Sequence, residues 1–304
     1  MNYQEKFVLF CKTYSGDYSS FRRLFRSIQR YNRDGIPLIV SIPREDQDVF
    51  ADFFRAESID FKYDDGISEN LISEPLNGFS AGYINQQIVK LEFHRTGIAE
   101  NYLCLDSDAL FIRDFHLKDF LAEDRVPYTV LTDWEEPYWD SSRIHWIGQY
   151  QENIRKIQRE IDFETRHIMT CSGLSILSSK VLEDFYAEYL MKKGRTLVDC
   201  LSLCPYEFSW YNLWLLKRQT IPIYPVTGLF KVFHFRDNYR ESRKHLVTLE
   251  MLKSKYLGIV MNSNWTRKET GYREIRGIPL ILRRFSKKIR LGIQRRMNGL
   301  WTKA

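Results

Sequence analysis

Three short runs in the first 105 residues are apolar on all or nearly all consecutive residues: Phe7-Val8-Leu9-Phe10, Leu38-Ile39-Val40-Ser41-Ile42 (closed by Pro43) and Tyr102-Leu103-Cys104-Leu105. A further strand-like run, Ile59 to Tyr63, alternates apolar and polar residues. A strand apolar on both faces must be covered on both, which is the position of a strand inside a parallel sheet flanked by helices. Between the runs lie helix-spaced stripes. Phe21, Leu24, Phe25, Ile28 and Tyr31 form one, with Arg22, Arg23, Arg26 and Arg30 outside it. Val49, Phe50, Phe53 and Phe54 form the second, and Ile84, Ile88 and Leu91 the third. Strand and amphipathic helix in alternation predict right-handed βαβ units and an α/β, mainly parallel sheet.

The second half is less rhythmic. The pattern predicts a strand over Tyr128 to Thr132, a helix carrying Ile154, Ile157 and Ile161, and a strand over Leu174 to Leu177 after Cys171-Ser172-Gly173. Helices are expected over 179–192 and 207–218, then a strand-like pair, Ile221 to Tyr224 and Phe230 to Phe235. No internal repeat or low-complexity linker divides the chain, so one α/β domain is expected over 1–275, regular over 1–135 and elaborated over 136–275, followed by a tail, 276–304.

Composition excludes several classes. A 44% hydrophobic content with 15 Gly and 9 Pro is neither disordered nor collagen-like. No run of eighteen apolar residues is present, and the apolar run near Met1 is too short for a signal peptide. Five cysteines (Cys11, Cys104, Cys171, Cys200, Cys204) without a CxxC read as reduced thiols of a cytoplasmic protein. The net charge of +6 belongs to the tail: residues 276–304 hold nine Lys or Arg and no acid, leaving 36 basic against 39 acidic groups in residues 1–275. The body is therefore not expected to bind nucleic acid.

Chemistry concentrates at Asp106-Ser107-Asp108, directly after the apolar run Tyr102 to Leu105 and before Ala109-Leu110-Phe111. In a parallel sheet ligands sit at the carboxyl ends of strands. Two carboxylates there, separated by one small residue, can aim at one point. Mg²⁺ and Mn²⁺ take hard oxygen ligands, commonly one or two protein carboxylates plus substrate phosphates. A solvated Asp-x-Asp turn is the plain alternative, and the apolar residues on both sides argue against it.

Together with Gln86-Gln87-Ile88-Val89-Lys90-Leu91 and an opening strand that ends Lys12-Thr13-Tyr14, this motif resembles nucleotide-sugar glycosyltransferases of the GT-A fold, in particular bacterial members thought to build surface polysaccharides. The resemblance spans residues 6–235 and implies a Rossmann-like sheet with a Mn²⁺ or Mg²⁺ on the diphosphate of a UDP- or GDP-type donor. Residues 1–135 then form the donor half and 136–275 the acceptor half. Carried over residue by residue, Asp106 and Asp108 become the metal carboxylates, and Ser107 lies against the donor's ribose or sugar. His234, polar within an apolar run, becomes a third ligand or else a satisfied core histidine; His94, His116, His145, His167 and His245 sit in helix-like or charged surroundings. Thr13, Tyr14 and Asp17 become nucleoside contacts in what also reads as a helix-capping turn. Gln86, Gln87 and Lys90 share helix-face spacing that suits phosphate or sugar hydroxyls, or solvent.

Glu207, in Pro205-Tyr206-Glu207-Phe208, is the candidate base for an inverting reaction and equally a favourable helix-start acid; Glu135 and Glu136 rival it. Trp134, Tyr138, Trp139 and Trp146 would stack on acceptor sugars or pack under a loop. The acceptor expected is a glycan or a lipid-linked glycan. In the tail, Leu282, Phe285, Ile289, Ile293, Met297 and Leu300 keep the helical period and seven Lys or Arg occupy other positions. That pattern predicts peripheral contact with an anionic membrane on its inner face, with packing on the domain or nucleic-acid binding as competing readings. Two other function classes stay open: a metal-dependent nucleotidyl or phosphoryl transferase, which the missing Gly-x-x-x-x-Gly-Lys-[Ser/Thr] loop argues against, and a non-enzymatic membrane-surface protein.

Overall fold

The computed structural model describes residues 4–122, 124–131, 144–166, 173–234, 239, 240, 242, 244 and 246–262. Trp134, Glu135, Glu136, Tyr138, Trp139, Cys171, the side chain of Trp146 and the tail from 276 onward lie outside the described residues. The elements of the first half are β1 (Glu5–Lys12), α1 (Tyr18–Tyr31), β2 (Leu38–Ile42), α2 (Gln47–Glu57), β3 (Asp60–Tyr63), the one-turn α3 (Asp64–Ile67), α4 (Ala81–Glu92), β4 (Ala99–Asp106) and β5 (Ala109–Phe111). There follow β6 (Thr129–Val130), α5 (Ile144–Glu160), β7 (Ile176–Ser178), α6 (Ser179–Phe185, continued by a π-helical turn over Tyr186–Met191), α7 (Leu197–Leu203) and α8 (Glu207–Arg218). The last elements are β8 (Pro225–Val226), β9 (Phe230–Phe233), α9 (Leu249–Lys255) and β10 (Gly258–Met261).

The main sheet has the order β3-β2-β1-β4-β7, parallel except for β7 at the edge. The mixed, mainly parallel α/β class expected from the sequence is the class observed. Strands β1 and β4 are the two longest and lie side by side, which accounts for their unbroken apolar runs: Val8, Leu9, Phe10, Leu103, Cys104 and Leu105 are all fully buried. Helix α1 closes one face through Phe21 and Leu24, and Phe50, Phe53 and Phe54 of α2 meet Phe21 edge-on, at centroid distances of 6.0–6.1 Å. Phe21, Phe50 and Phe54 are buried and Phe53 partly so; burying such a ring fully stabilises a fold by about 1.5–3 kcal/mol. Val49, expected on that stripe, is instead 46% exposed.

Two expectations need correction. Ile221 to Tyr224 is not a strand; the two-residue β8 follows it and pairs with β6, not with the Phe230 run. The Phe230 strand ends at Phe233 and pairs in parallel with β10, which in turn pairs antiparallel with β5, giving the small sheet β5-β10-β9. That sheet needs Gly258: a Cβ there would fall 2.0 Å from the Phe230 ring and 2.5 Å from the Leu110 carbonyl oxygen. Gly258→Ala is expected to destabilise the protein by about 1–3 kcal/mol through overpacking. Thermal unfolding checks this; an unchanged midpoint contradicts it.

Candidate active site

Strands β1, β2 and β3 step outward in one direction while β4 lies on the other side of β1. The strand order therefore reverses between β1 and β4, and the crevice beyond their carboxyl ends is where ligands bind in open α/β sheets. In register, Lys12 of β1 stands opposite Asp106 of β4. One residue further on, the Ser107 hydroxyl donates to the Thr13 hydroxyl across 2.9 Å, and both residues are buried. The two chain ends that form the crevice are thus tied together by the residues following the strands.

A cleft of about 630 Å³ opens here. Its walls include Lys12, Tyr14, Asp17, Gln86 and the whole Asp106-Ser107-Asp108 triplet. Of the residues expected at the site, Tyr14, Asp17, Gln86, Asp106, Ser107 and Asp108 line it; Thr13 is joined to it through Ser107.

Lys90, Gln87 and Glu207 form a layer behind Asp106. Lys90, its side chain 4% exposed, places Nζ 2.8 Å from Asp106 Oδ1 and 2.9 Å from Glu207 Oε1. Burial would push this ammonium down, but the two carboxylates override it and hold its pKa well above the usual lysine value. Gln86 Nε2 donates to the same Asp106 Oδ1 at 3.0 Å, and the Gln87 side-chain oxygen accepts from the Glu207 backbone N–H. Two donors thus occupy Asp106 Oδ1, and Oδ2 is left to the cleft; the side chain is 31% exposed. The helical spacing of α4 brings Gln86 and Lys90 onto one face.

Glu207 is not part of the cleft wall among the described residues, and its side chain is 12% exposed. His234 follows β9, whose end is paired with Met261, and the amide of Met261 donates to the Asp108 carbonyl. The small sheet therefore brings His234 to the same edge as Asp108, with β10 between them. Among the described residues no three His, Cys, Asp or Glu side chains gather as a metal set, so His234 is not brought together with Asp106 and Asp108.

Other site residues were not singled out in the sequence. Lys12 forms a buried ion pair with Asp64 at 2.8 Å, and Asp64 also accepts from the Ser41 hydroxyl. Burial raises the Asp64 carboxyl against the pull of Lys12. Asp46 accepts from the Ser15 amide at 2.7 Å and fastens the turn after β2 to the turn after β1. Arg23 lies outside the apolar stripe of α1 and so looks like a solvent-face residue. Yet it lies one turn before Ser27, whose hydroxyl accepts from the Phe111 amide of β5. Burial lowers the Arg23 pKa, opposed by the charges of Asp108 and Asp17.

The described cysteines Cys11, Cys104, Cys200 and Cys204 are free and buried. Burial raises all four thiols, Cys204 to about 12, so none is poised as a nucleophile.

The described cleft wall contains five carboxylates (Asp17, Glu45, Asp46, Asp106, Asp108) and one ammonium, Lys12, already neutralised by Asp64. Carboxylates on such a wall suit a diphosphate that arrives with a divalent cation. Two carboxylates completed by substrate phosphate are an ordinary Mg²⁺ arrangement, so the residues present fit the metal the motif implies.

Residues 7–257 match the profile of a family described as a family of unknown function (DUF6492), and the chain belongs to that family. No curated protein matches. Among solved structures, the chain is similar to mouse xyloside xylosyltransferase 1 in its apo form, with a TM-score of 0.49, 10% identity, and coverage of 85% of this chain and 98% of that one. It is also similar to the apo bifunctional glycosyltransferase WbbM (TM-score 0.48, 12% identity, 86% of this chain and 46% of that one). A third is the galactosyltransferase LgtC in complex with donor and acceptor sugar analogs (TM-score 0.47, 13% identity, 92% and 94%).

Proposed function

We propose that this protein is a metal-dependent glycosyltransferase that moves a sugar from a nucleotide-sugar donor to a glycan or lipid-linked glycan. One observation carries the reading: Asp106 and Asp108 both line one cleft at the strand-order reversal, and Asp106 is held there by a buried ammonium and an amide. Asp106 Oδ2 and the Asp108 carboxylate are the groups that would hold Mn²⁺ or Mg²⁺. A cation held by these carboxylates would supply charge neutralisation and Lewis-acid polarisation of the diphosphate oxygens.

The chain's own residues set the stage for that step. Lys90 stays protonated at neutral pH and fixes the Asp106 carboxylate, so no reorientation is needed when the donor binds. Tyr14, 37% exposed, offers a ring to the nucleoside, and Asp17 a carboxylate beside it. Thr13 and Ser107 hold the two chain turns at a fixed spacing. For Glu207, the ion pair with Lys90 favours a positioning role over direct deprotonation of the acceptor. We further propose a role in surface polysaccharide synthesis on the cytoplasmic side, with the tail holding the enzyme at the membrane. Among the described residues no helix is long and apolar enough to cross one.

The test is a panel of UDP- and GDP-sugars assayed for hydrolysis and transfer with Mn²⁺, with Mg²⁺ and with EDTA. The expected result is turnover of at least one donor that EDTA abolishes. Turnover that persists in EDTA, or release of phosphate or a nucleotidyl group with no sugar moved, overturns the reading.

A further inference from the structure

The cleft has two unlike ends. The turn Pro43–Asp46 follows β2, two strands away from β4, so it stands roughly 10 Å from the end of β4. The other end is formed by Ser80, Gly82 and Tyr83, at the start of α4. The Tyr83 hydroxyl reaches the Pro205 carbonyl at 3.4 Å, beside the start of α8 on the β4 side of the molecule. Gln86, one turn further along α4, ties this end to Asp106 at 3.0 Å.

Tyr83 is unusual on this wall. The residue is 40% exposed, yet its side chain is held at two places: Phe79 stacks on the ring (centroids 5.1 Å apart, planes 20° apart), and the hydroxyl is tied to Pro205. The Ser80 hydroxyl caps the helix by accepting from the Tyr83 amide, which fixes the backbone as well. Apart from its chain neighbours and its own helix backbone, nothing lies within 4 Å of where a Cβ would stand on Gly82, so the space beside the first turn of α4 is open. One turn along, Gln86 gives its Nε2 to Asp106, which can only accept; its Oε1 is therefore turned to accept from another donor.

From this juxtaposition we infer that Tyr83, Gly82 and Gln86 form a pyranose-binding subsite at the α4 end of the cleft. The apolar face of the sugar ring packs on Tyr83, Gly82 leaves the room, and Gln86 Oε1 accepts from a sugar hydroxyl. A rigid aromatic platform with a few convergent polar groups is the chemistry that recognises a carbohydrate ring. Because the ring is already immobilised, little ordering cost attends binding. The inference rests on the proposed transferase reading: with the diphosphate at Asp106 and Asp108 and the nucleoside over the turns after β1 and β2, the sugar falls at this end.

The test uses methyl hexopyranosides at millimolar concentration, followed by saturation-transfer NMR with Mg²⁺ and either UDP or GDP present. Three variants are compared with the unmodified protein after thermal unfolding has shown that each is folded. Tyr83→Phe keeps the ring and should keep the sugar signal. Tyr83→Ala should lose at least fivefold. Gly82→Leu, which projects into open space and favours the helix, should block the signal without loss of stability. No signal from any pyranoside on the unmodified protein, or signals unchanged in Tyr83→Ala and Gly82→Leu, overturns the subsite. The two claims fail separately. Metal-dependent donor turnover with pyranoside signals indifferent to Tyr83 sinks the subsite alone. Tyr83-dependent sugar binding without any donor turnover sinks the transferase reading and leaves the subsite standing.

Discussion

Asp108→Ala and Asp106→Asn should each lower metal-dependent turnover of the donor by about a hundredfold or more, the scale on which removing one preorganised charge contact costs an enzyme. The double variant should be little worse than either single one. Both carboxylates are needed to hold one cation on one diphosphate, so losing the second adds little once the first is gone. Asp106 is one of two carboxylates neutralising buried Lys90, so Asp106→Asn should also lower the melting temperature. Steady-state kinetics with Mn²⁺, alongside thermal unfolding of each variant, checks both statements. Near-native turnover in the double variant refutes the site.

Lys90→Met should be the most destabilising substitution at the site. It leaves the Asp106 and Glu207 carboxylates without the buried ammonium that neutralises them, and breaking a buried pair in this way costs about 3–5 kcal/mol. At about 2–4 °C per kcal/mol for a chain of this size or somewhat smaller, the melting temperature should fall by roughly ten degrees. Adding Glu207→Gln removes one of the stranded charges and should recover part of the loss; a double variant no better than Lys90→Met contradicts the ion-pair account. The pH dependence has a definite sign. The folded pKa of Lys90 lies above its unfolded value, so its share of stability is complete below about pH 10.4 and fades as pH rises through the folded value. The unmodified protein should therefore lose stability in that alkaline window, and Lys90→Met should lose less there.

Much of the first half was legible in the sequence for a simple reason. Strands β1, β2 and β4 are covered on both faces, so burial writes itself as consecutive apolar residues, and α1 and α4 carry their core stripes at helical spacing. Asp106 and Asp108 were legible because they end such a strand, and the Gln86–Lys90 face because helical spacing alone places it. The small sheet was not legible. Its pairings join Ala109 to Val260 and Val260 to Val232, contacts that no local periodicity announces. Ile221 to Tyr224 has a strand-like composition but no strand beside it to pair with until Pro225.

The same limit applies within the site. Glu207 looked like a helix-start acid that could face an acceptor; its actual partner, Lys90, is 117 residues earlier in the chain. Arg23 reads as a solvent-face position of an amphipathic helix, because a sequence shows that a residue lies off the apolar stripe and not which charges, here Asp108 and Asp17, stand near it.

The central claim is that one divalent cation sits on Asp106 and Asp108 with the donor's diphosphate. Anomalous scattering from a crystal of the protein grown with Mn²⁺ and a nucleoside diphosphate tests it most directly. The account predicts a single manganese peak within coordinating distance of both the Asp106 and Asp108 carboxylates and of the diphosphate oxygens. A diphosphate bound in the cleft with no manganese at those two residues, or manganese bound only elsewhere, would contradict it.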